Sequence, residues 1–339
     1  MTRVLHILPH PGGGAETYID LLEGLEGYEH ERLPLSMQRR PLRALPSIAA
    51  RRLPLSRAAR GADLIHVHGD TSAILAPRPP GTPMVWSTHG LHLLRGASGP
   101  SKRVVLPAVR GAVRASAVTI CTSQLEHDEL AGLVDAPDRL RTVIAGVPAP
   151  DGNADAAAVR SELGLGDQTT VALFAAELEE RKDPLGAVEA VRRARREGAD
   201  LVLLMAGEGS LRPAVQAEAG DGIRVLGFRN DVGRLMSAAS VFVLPSRREG
   251  LSLALLEAMS RSLVPVVAAG AGNPEAVGDT GIVVPPGDVD ALASALGSLV
   301  REPEERARLA KAARERQLAE FGIERFLRDM ADVYERALG

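Results

Sequence analysis

Val241 to Ala258 reads VFVLPSRREGLSLALLEA, and three local signals follow one another in it. Val241–Leu244 is a short continuous apolar run, Pro245–Arg248 is polar, and Glu249-Gly250 leads into a helical pattern of leucine and alanine. A run rich in valine and apolar on both faces suits a strand buried in a parallel sheet. In such sheets ligands bind beyond the carboxyl ends of the strands, which makes the polar loop a candidate site. Gly250, Leu251 and Ser252 would present free amides at the start of the helix, suited to a sugar or a phosphate. Glu257 follows Glu249 by eight residues and sits among apolar neighbours, Leu256 and Ala258. A carboxylate there is costly unless hydrogen-bonded, so the two glutamates form a pair able to hold hydroxyls of a sugar and of a ribose. The plainer alternative is a Glu249 that complements the helix dipole and an exposed Glu257.

The same strand–loop–helix pattern repeats outward in both directions. Val171–Ala175, Leu201–Met205, Ile223–Leu226, Val264–Val267 and Gly281–Val284 are further strand candidates in the second half of the chain. Val4–Leu8, Leu64–Val67, Met84–Ser87, Ala117–Cys121 and Arg141–Ile144 are those in the first. Ala145 to Asn153 reads AGVPAPDGN, dense in Gly, Pro and Asn and without periodicity, and is the expected linker. Two βαβ series joined by a linker predict two domains, each with a parallel sheet, and a ligand site in the cleft between them. A length of 339 residues agrees with two domains.

Composition narrows the partners. Residues 1–150 hold 17 Lys+Arg against 13 Asp+Glu, and the remainder 23 against 30, which gives net charges of +4 and −7. Seven arginines lie between Arg39 and Arg60, interleaved with leucine and isoleucine. That segment reads as a solvated surface helix or as a contact for an anionic membrane or a phosphorylated acceptor. Aromatics are only 3%, too few for a base-stacking surface, so nucleic acid is set aside. A single cysteine, Cys121, excludes an internal disulfide and fits a reducing compartment. With no apolar run of membrane-spanning length, a cytoplasmic protein, peripheral at most, is expected. Arginine outnumbers lysine 37 to 3, so each lysine carries more information than usual.

Four other strand ends carry polar residues of interest. Pro9–Glu16, PHPGGGAE, follows the first strand, and Gly13 and Gly14 would let a ligand approach the backbone. Thr17 stands where a dinucleotide fingerprint needs its last glycine, so that motif is absent. His89 follows the strand Met84–Ser87 and would stand at the mouth of the cleft. His66 and His68 alternate on one strand and read as packing residues, and no histidine spacing along the chain suggests a metal site. Lys182, in FAAELEERKDP, could meet a diphosphate as a point charge. Gly207 and Gly209, in LMAGEGSLR, permit a tight loop with Ser210 as helix cap.

Taken together, GEGSLR, LGFRNDV, VFVLPSRREGLSLALLEAM and GIVVPPGD occur in this order between Val171 and Gly287. In these motifs and their spacing the chain resembles the retaining GT-B glycosyltransferases of family 4. The resemblance implies an α/β chain of the GT-B fold, two Rossmann-like domains with parallel sheets facing across a cleft. It implies an acceptor domain over 1–148, a nucleotide-sugar domain over 149–322, and a final helix, 323–339, returning to the first domain. The donor would be a UDP-, GDP- or ADP-sugar and the acceptor a hydroxyl of a glycolipid, a polysaccharide or a small molecule. Glu249 would bind donor-sugar hydroxyls and Glu257 the ribose. The amides of Gly250, Leu251 and Ser252 would meet sugar and phosphates, Lys182 the leaving diphosphate, and His89 the reacting sugar. Gly13 and Gly14 would lie under the diphosphate, with Gly207 and Arg229 completing the donor site. Catalysis would need no metal and no other cofactor.

One departure is a charge reversal. The family's usual Gly-Arg-Leu is Ala176-Glu177-Leu178 here, five residues before the lysine. Exchanging two unit charges beside a diphosphate changes binding by several kcal/mol at an effective dielectric of about 20. Glu177 must then turn away, or Arg181, Arg247 or Arg248 must substitute for the missing cation. The alternative function is a nucleotide-sugar-binding protein with little transferase activity.

Overall fold

A computed structural model of the chain describes residues 1–10, 13–35, 59–150, 155–270 and 272–339. Most of the arginine-rich Arg39–Arg60 segment therefore lies outside the described residues. Contacts divide the chain into two units, Met1–Ala145 with Ile323–Gly339, and Gly146–Gly322.

The first unit is built on six parallel strands: β1 (Thr2–Leu8), β2 (Tyr28–Pro34), β3 (Leu64–His68), β4 (Met84–Ser87), β5 (Val118–Cys121) and β6 (Leu140–Thr142). Their order in the sheet is β2-β1-β3-β4-β5-β6. Every residue of β3, β4 and β5 is buried, as strands covered on both faces must be. The expected strands are present, and one strand is added. β2, YEHERLP, carries three charged residues and is half-exposed along its length, because it lies at the sheet edge. Leu5, Ile7, Ile65, Val67 and Trp86 form the centre of the core on these strands. The helix Ile323–Leu338 buries Phe326, Met330, Val333 and Tyr334, one face at helical spacing, and contacts β3, β4 and β5.

The second unit has its own parallel sheet: β7 (Thr170–Ala175), β8 (Leu201–Ala206), β9 (Ile223–Gly227), β10 (Val241–Leu244), β11 (Val264–Ala268) and β12 (Ile282–Val284). The order β12-β11-β10-β7-β8-β9 puts β7 beside β10, although 65 residues of chain separate Ala175 from Val241. The chain runs outward from β7 to β9, returns, and then runs outward on the other side. β7/β10 is thus a topological switch point, where the loops leaving the two strands diverge and open a crevice. Among the described residues no helix is long and apolar enough to cross a membrane.

Candidate functional site

At the switch point of the second unit, the loops after β7 and β10 bring together residues far apart in sequence. After β7 the chain forms a single tight turn, Glu180–Lys182, and then Asp183, in the left-handed region at φ 51°, caps the helix Pro184–Arg196. The Asp183 carboxylate accepts from the Gly186 amide at 3.3 Å. After β10 the Arg247 amide donates to the Arg181 carbonyl at 2.8 Å, which ties the two loops at the backbone. Held this way, Lys182 Nζ meets the Glu249 carboxylate, and both side chains are only 9% exposed. Ser246 Oγ donates to the same carboxylate at 3.3 Å, and Arg181 Nη1 lies 3.8 Å from its other oxygen. Burial pulls the Lys182 pKa down, and Glu249 opposes that shift.

Glu177 is exposed and bonded to the Arg181 guanidinium, so the reversed charge is answered within its own loop. Arg181 is then neutralised in part by Glu177 and Glu249. Arg247 and Arg248 are exposed at the rim, Arg247 with Asp183 at 3.0 Å. These two are the candidate cations on the β10 side of the crevice.

The helix Leu253–Ser260 begins at this loop with Ser252 as its cap residue. The amides of Gly250 and Leu251 make no hydrogen bond among the described residues, whereas that of Ser252 donates to Asn273 Oδ1 at 3.2 Å. Two free amides therefore stand where three were expected, because a fully buried asparagine takes the third. Asn273 has no motif to announce it in the sequence, since it matters through what it touches, whereas Ser246 lies in the polar loop Pro245–Arg248. Glu257 is half-buried and forms no side-chain hydrogen bond or ion pair among the described residues. Burial pushes its pKa up, with Arg261 pulling the other way.

The turn after β8 packs against the same region. A side chain at Gly207 would lie 1.9 Å from the Ala176 carbonyl oxygen, so the two loops approach at glycine contact distance. The Gly207 amide donates to the Gly227 carbonyl at 2.8 Å. The helix that follows starts at Arg212 with Leu211 as cap, one residue beyond the start that a Ser210 cap implies. Ser210 binds the Glu179 carboxylate instead. Arg229 makes a two-pronged bond to Asp231, at 2.7 and 2.6 Å.

The first unit carries a different set. Gly13 is the cap residue of the helix Gly14–Leu22, at φ 79°, and the space beside Gly14 is open. His89, Gly90 and Leu91 have φ of 51°, 110° and 48°, a left-handed run directly after β4. Two of the three are non-glycine, so the turn is strained, as backbones at functional sites often are. The His89 ring stacks on His68 and meets the edge of Tyr18. Desolvation lowers its pKa to about 4.

His66 and His68 are packed, and they are not alone. With His6 they form a fully buried group whose donor atoms lie within 4.8 Å of one another, a proximity that linear spacing did not suggest. All six ring nitrogens already have partners. His6 bonds His30 and His68, His68 bonds His6 and His89, and His66 bonds Tyr334 Oη and Ser87 Oγ.

Residues 155–316 match the family described as glycosyl transferases group 1, and residues 4–149 the one described as glycosyltransferase family 4. A D-inositol 3-phosphate glycosyltransferase of Saccharomonospora viridis is 33% identical over 306 residues, covering 81% of this chain and 70% of that protein. An alpha-D-kanosaminyltransferase of Streptomyces kanamyceticus is 29% identical over 295 residues, covering 80% and 76%. Among solved structures, sucrose-phosphate synthase from Thermosynechococcus elongatus has a TM-score of 0.81 at 20% identity, covering 99% of both chains. Anabaena Alr3699/HepE in complex with UDP-glucose has a TM-score of 0.83 at 17% identity, covering 99% of this chain and 100% of that one. At these identities the two structures establish a common fold.

Proposed function

Because the chain belongs to the glycosyl transferases group 1 family, and so transfers a sugar from a nucleotide-sugar donor to an acceptor, we propose that it is a retaining, metal-independent hexosyltransferase. The observation that carries this reading is the convergence of Lys182, Glu249 and the open Gly250 and Leu251 amides at the β7/β10 switch point. Glu249 accepts from donor-sugar hydroxyls while Lys182 turns its charge to the diphosphate. Glu257, with no side-chain hydrogen bond or ion pair among the described residues, takes the ribose hydroxyls. His89 keeps the role towards the donor sugar that the family resemblance implies for it.

In the transfer, the bond between the sugar C1 and the diphosphate oxygen breaks as the acceptor hydroxyl adds to C1 on the same face. The hydroxyl proton passes to the leaving diphosphate. Negative charge grows on that diphosphate as the bond breaks, so cations and amides aimed at it act most strongly on the transition state. Lys182, Arg247, Arg248 and the helix-start amides supply this stabilisation without a metal. A small polar acceptor is the first to test, since the Saccharomonospora viridis relative is named for D-inositol 3-phosphate.

A second reading, binding with little transfer, is favoured by the Arg181–Glu177 pair, which removes one cation from the diphosphate's reach. Isothermal titration with UDP, GDP and ADP, followed by donor hydrolysis and transfer assays, separates the two. Transfer or slow hydrolysis supports the enzyme, and tight binding without either supports the second reading. Glu257→Ala should weaken nucleotide binding about 10-fold or more, the worth of a hydrogen bond to a charged group. Unchanged affinity would remove Glu257 from the site.

A further inference from the structure

The loop after β11 is built against the helix start that follows β10. β11 lies beside β10 in the sheet, and a side chain at Gly270 would come within 2.6 Å of the Ser246 carbonyl oxygen. Two hydrogen bonds join the loops on either side of Leu251. The Gly272 amide donates to the Gly250 carbonyl at 3.0 Å, and the Ser252 amide donates to Asn273 Oδ1 at 3.2 Å. Asn273 is fully buried in the first turn of the helix Gly272–Val277, and its Nδ2 is enclosed with no partner among the described residues.

These two bonds decide which way Leu251 faces. In a trans peptide the C=O and the N–H point in opposite directions, and no described residue has a cis bond. The Gly250 carbonyl is turned to Gly272, so the Leu251 N–H of the same peptide is turned away from it. The Ser252 N–H is turned to Asn273, so the Leu251 carbonyl is turned away as well. Neither group makes a hydrogen bond among the described residues, and Leu251 is half-buried. An open donor and an open acceptor therefore stand on one residue, two positions after Glu249.

That pairing selects its ligand. An ionised phosphate oxygen only accepts, and close to Leu251 it would set its lone pairs against those of the carbonyl. A hydroxyl both donates and accepts, so it can use both groups. Phosphate is left to the amides of Gly250 and of the first helical turn, Leu253 and Ala254, which have no acceptor among the described residues. The residue type at 273 fits the same division. Its unpaired buried Nδ2 opposes folding, and an aspartate would accept from Ser252 without that cost. Aspartate, however, would add a carboxylate at the helix start, whereas asparagine accepts and stays neutral.

We infer that Asn273 is a positioning residue of the donor site: with the Gly272 amide it withdraws the Ser252 amide and turns Leu251 away from the β11 loop, so that Leu251 binds a hydroxyl of the donor sugar through both its N–H and its C=O. The hydroxyl rests on the proposed transferase reading, while the clamp on Leu251 does not.

Hydrogen exchange resolved to single amides tests the clamp on the full chain without ligand. Ser252 should be protected, and Gly250 and Leu251 should exchange freely. Asn273→Leu should expose Ser252, and Asn273→Asp, which keeps the acceptor, should leave it protected. An unprotected Ser252 in the wild type, or protection kept in Asn273→Leu, would overturn the inference. Titration with UDP, GDP and ADP and with UDP-glucose, UDP-N-acetylglucosamine, GDP-mannose and ADP-glucose tests the hydroxyl. The tightest-binding conjugate should protect the Leu251 amide, and its parent diphosphate should not. Asn273→Leu should weaken that conjugate about 5- to 10-fold, the worth of about one hydrogen bond, with the parent diphosphate within about twofold. Asn273→Asp should return the ratio of the two affinities to the wild-type value, since its added charge acts on both ligands. A merely structural role would move both ligands together, so equal weakening would sink the hydroxyl assignment. Protection of Leu251 by the diphosphate alone, or by no conjugate, would do the same. Circular dichroism checks folding, and should Asn273→Leu not fold, Asn273→Asp and the wild-type exchange pattern decide. Failure of every nucleotide to bind would remove the transferase reading and the hydroxyl together, with amide exchange still deciding the clamp.

Discussion

The crevice of the second unit and the histidine row of the first handle buried polarity in opposite ways. At the β7/β10 switch point, opposite charges are brought together, Lys182 with Glu249, at loop ends within reach of a ligand. In the first unit the polar groups are stripped of charge and joined by shared protons across the middle of a sheet. A charged pair responds to a ligand by changing partners. A neutral row responds only by reversing direction. The first arrangement suits a site where a ligand takes the place of a protein partner, and the second keeps polar groups paired and uncharged inside a sheet.

Acid should break the comparison most visibly. The buried rings have folded pKa values below the ordinary histidine value, while the unfolded chain takes up protons below about pH 6.5. Unfolded chains then bind more protons than folded ones, so stability falls as pH drops through 6.5 and keeps falling toward the folded values, about 4 for His89. The slope is about 1.4 kcal/mol per pH unit for each ring that stays neutral. Thermal melts from pH 7 to pH 4.5, with hydrogen exchange to localise the loss, should show residues 1–145 opening first. Equal acid sensitivity of both units would contradict the difference.

Removing one partner of the charged pair should come next in size. Lys182→Met leaves Glu249 buried with less compensation and should cost about 3–5 kcal/mol by denaturant unfolding. It should also lower kcat by about 100-fold or more through loss of diphosphate stabilisation. A variant with normal kcat would remove Lys182 from the reaction.

The smallest effect sharpens the contrast within the second unit. Glu257 is half-buried with its pKa raised by desolvation, so its ionisation opposes folding once pH exceeds the ordinary glutamate range. Glu257→Gln should stabilise the protein by about 0.5–1 kcal/mol at pH 7, and the gain should vanish below about pH 4. Loss of stability at pH 7 would mean that Glu257 has a structural partner.

Much of this was legible in the residues, and the exceptions have physical causes. Buried parallel strands are apolar on both faces, which is why eleven of them could be read from VFVL-like runs. The edge strand Tyr28–Pro34 has one side in water and alternates charge with apolar residues, so it resembles a loop. Lys182 and Glu249 stood out as a scarce lysine and a spaced glutamate pair. Their bond to each other, the Glu177–Arg181 pair and the Asn273 contact needed the loops in place.

By itself, the sequence determined which segments are the buried strands, where the glycine-permitted approaches fall, and which family the chain resembles. Local hydrophobic periodicity and motif spacing are enough for that. Sheet order was decided only in three dimensions. It set β7 against β10, so that Lys182 reaches Glu249, and β1 between β2 and β3, so that His30, His6 and His68 line up toward His89. Contacts between strands distant along the chain depend on how the sheet closes its core, and no short stretch of residues carries that information.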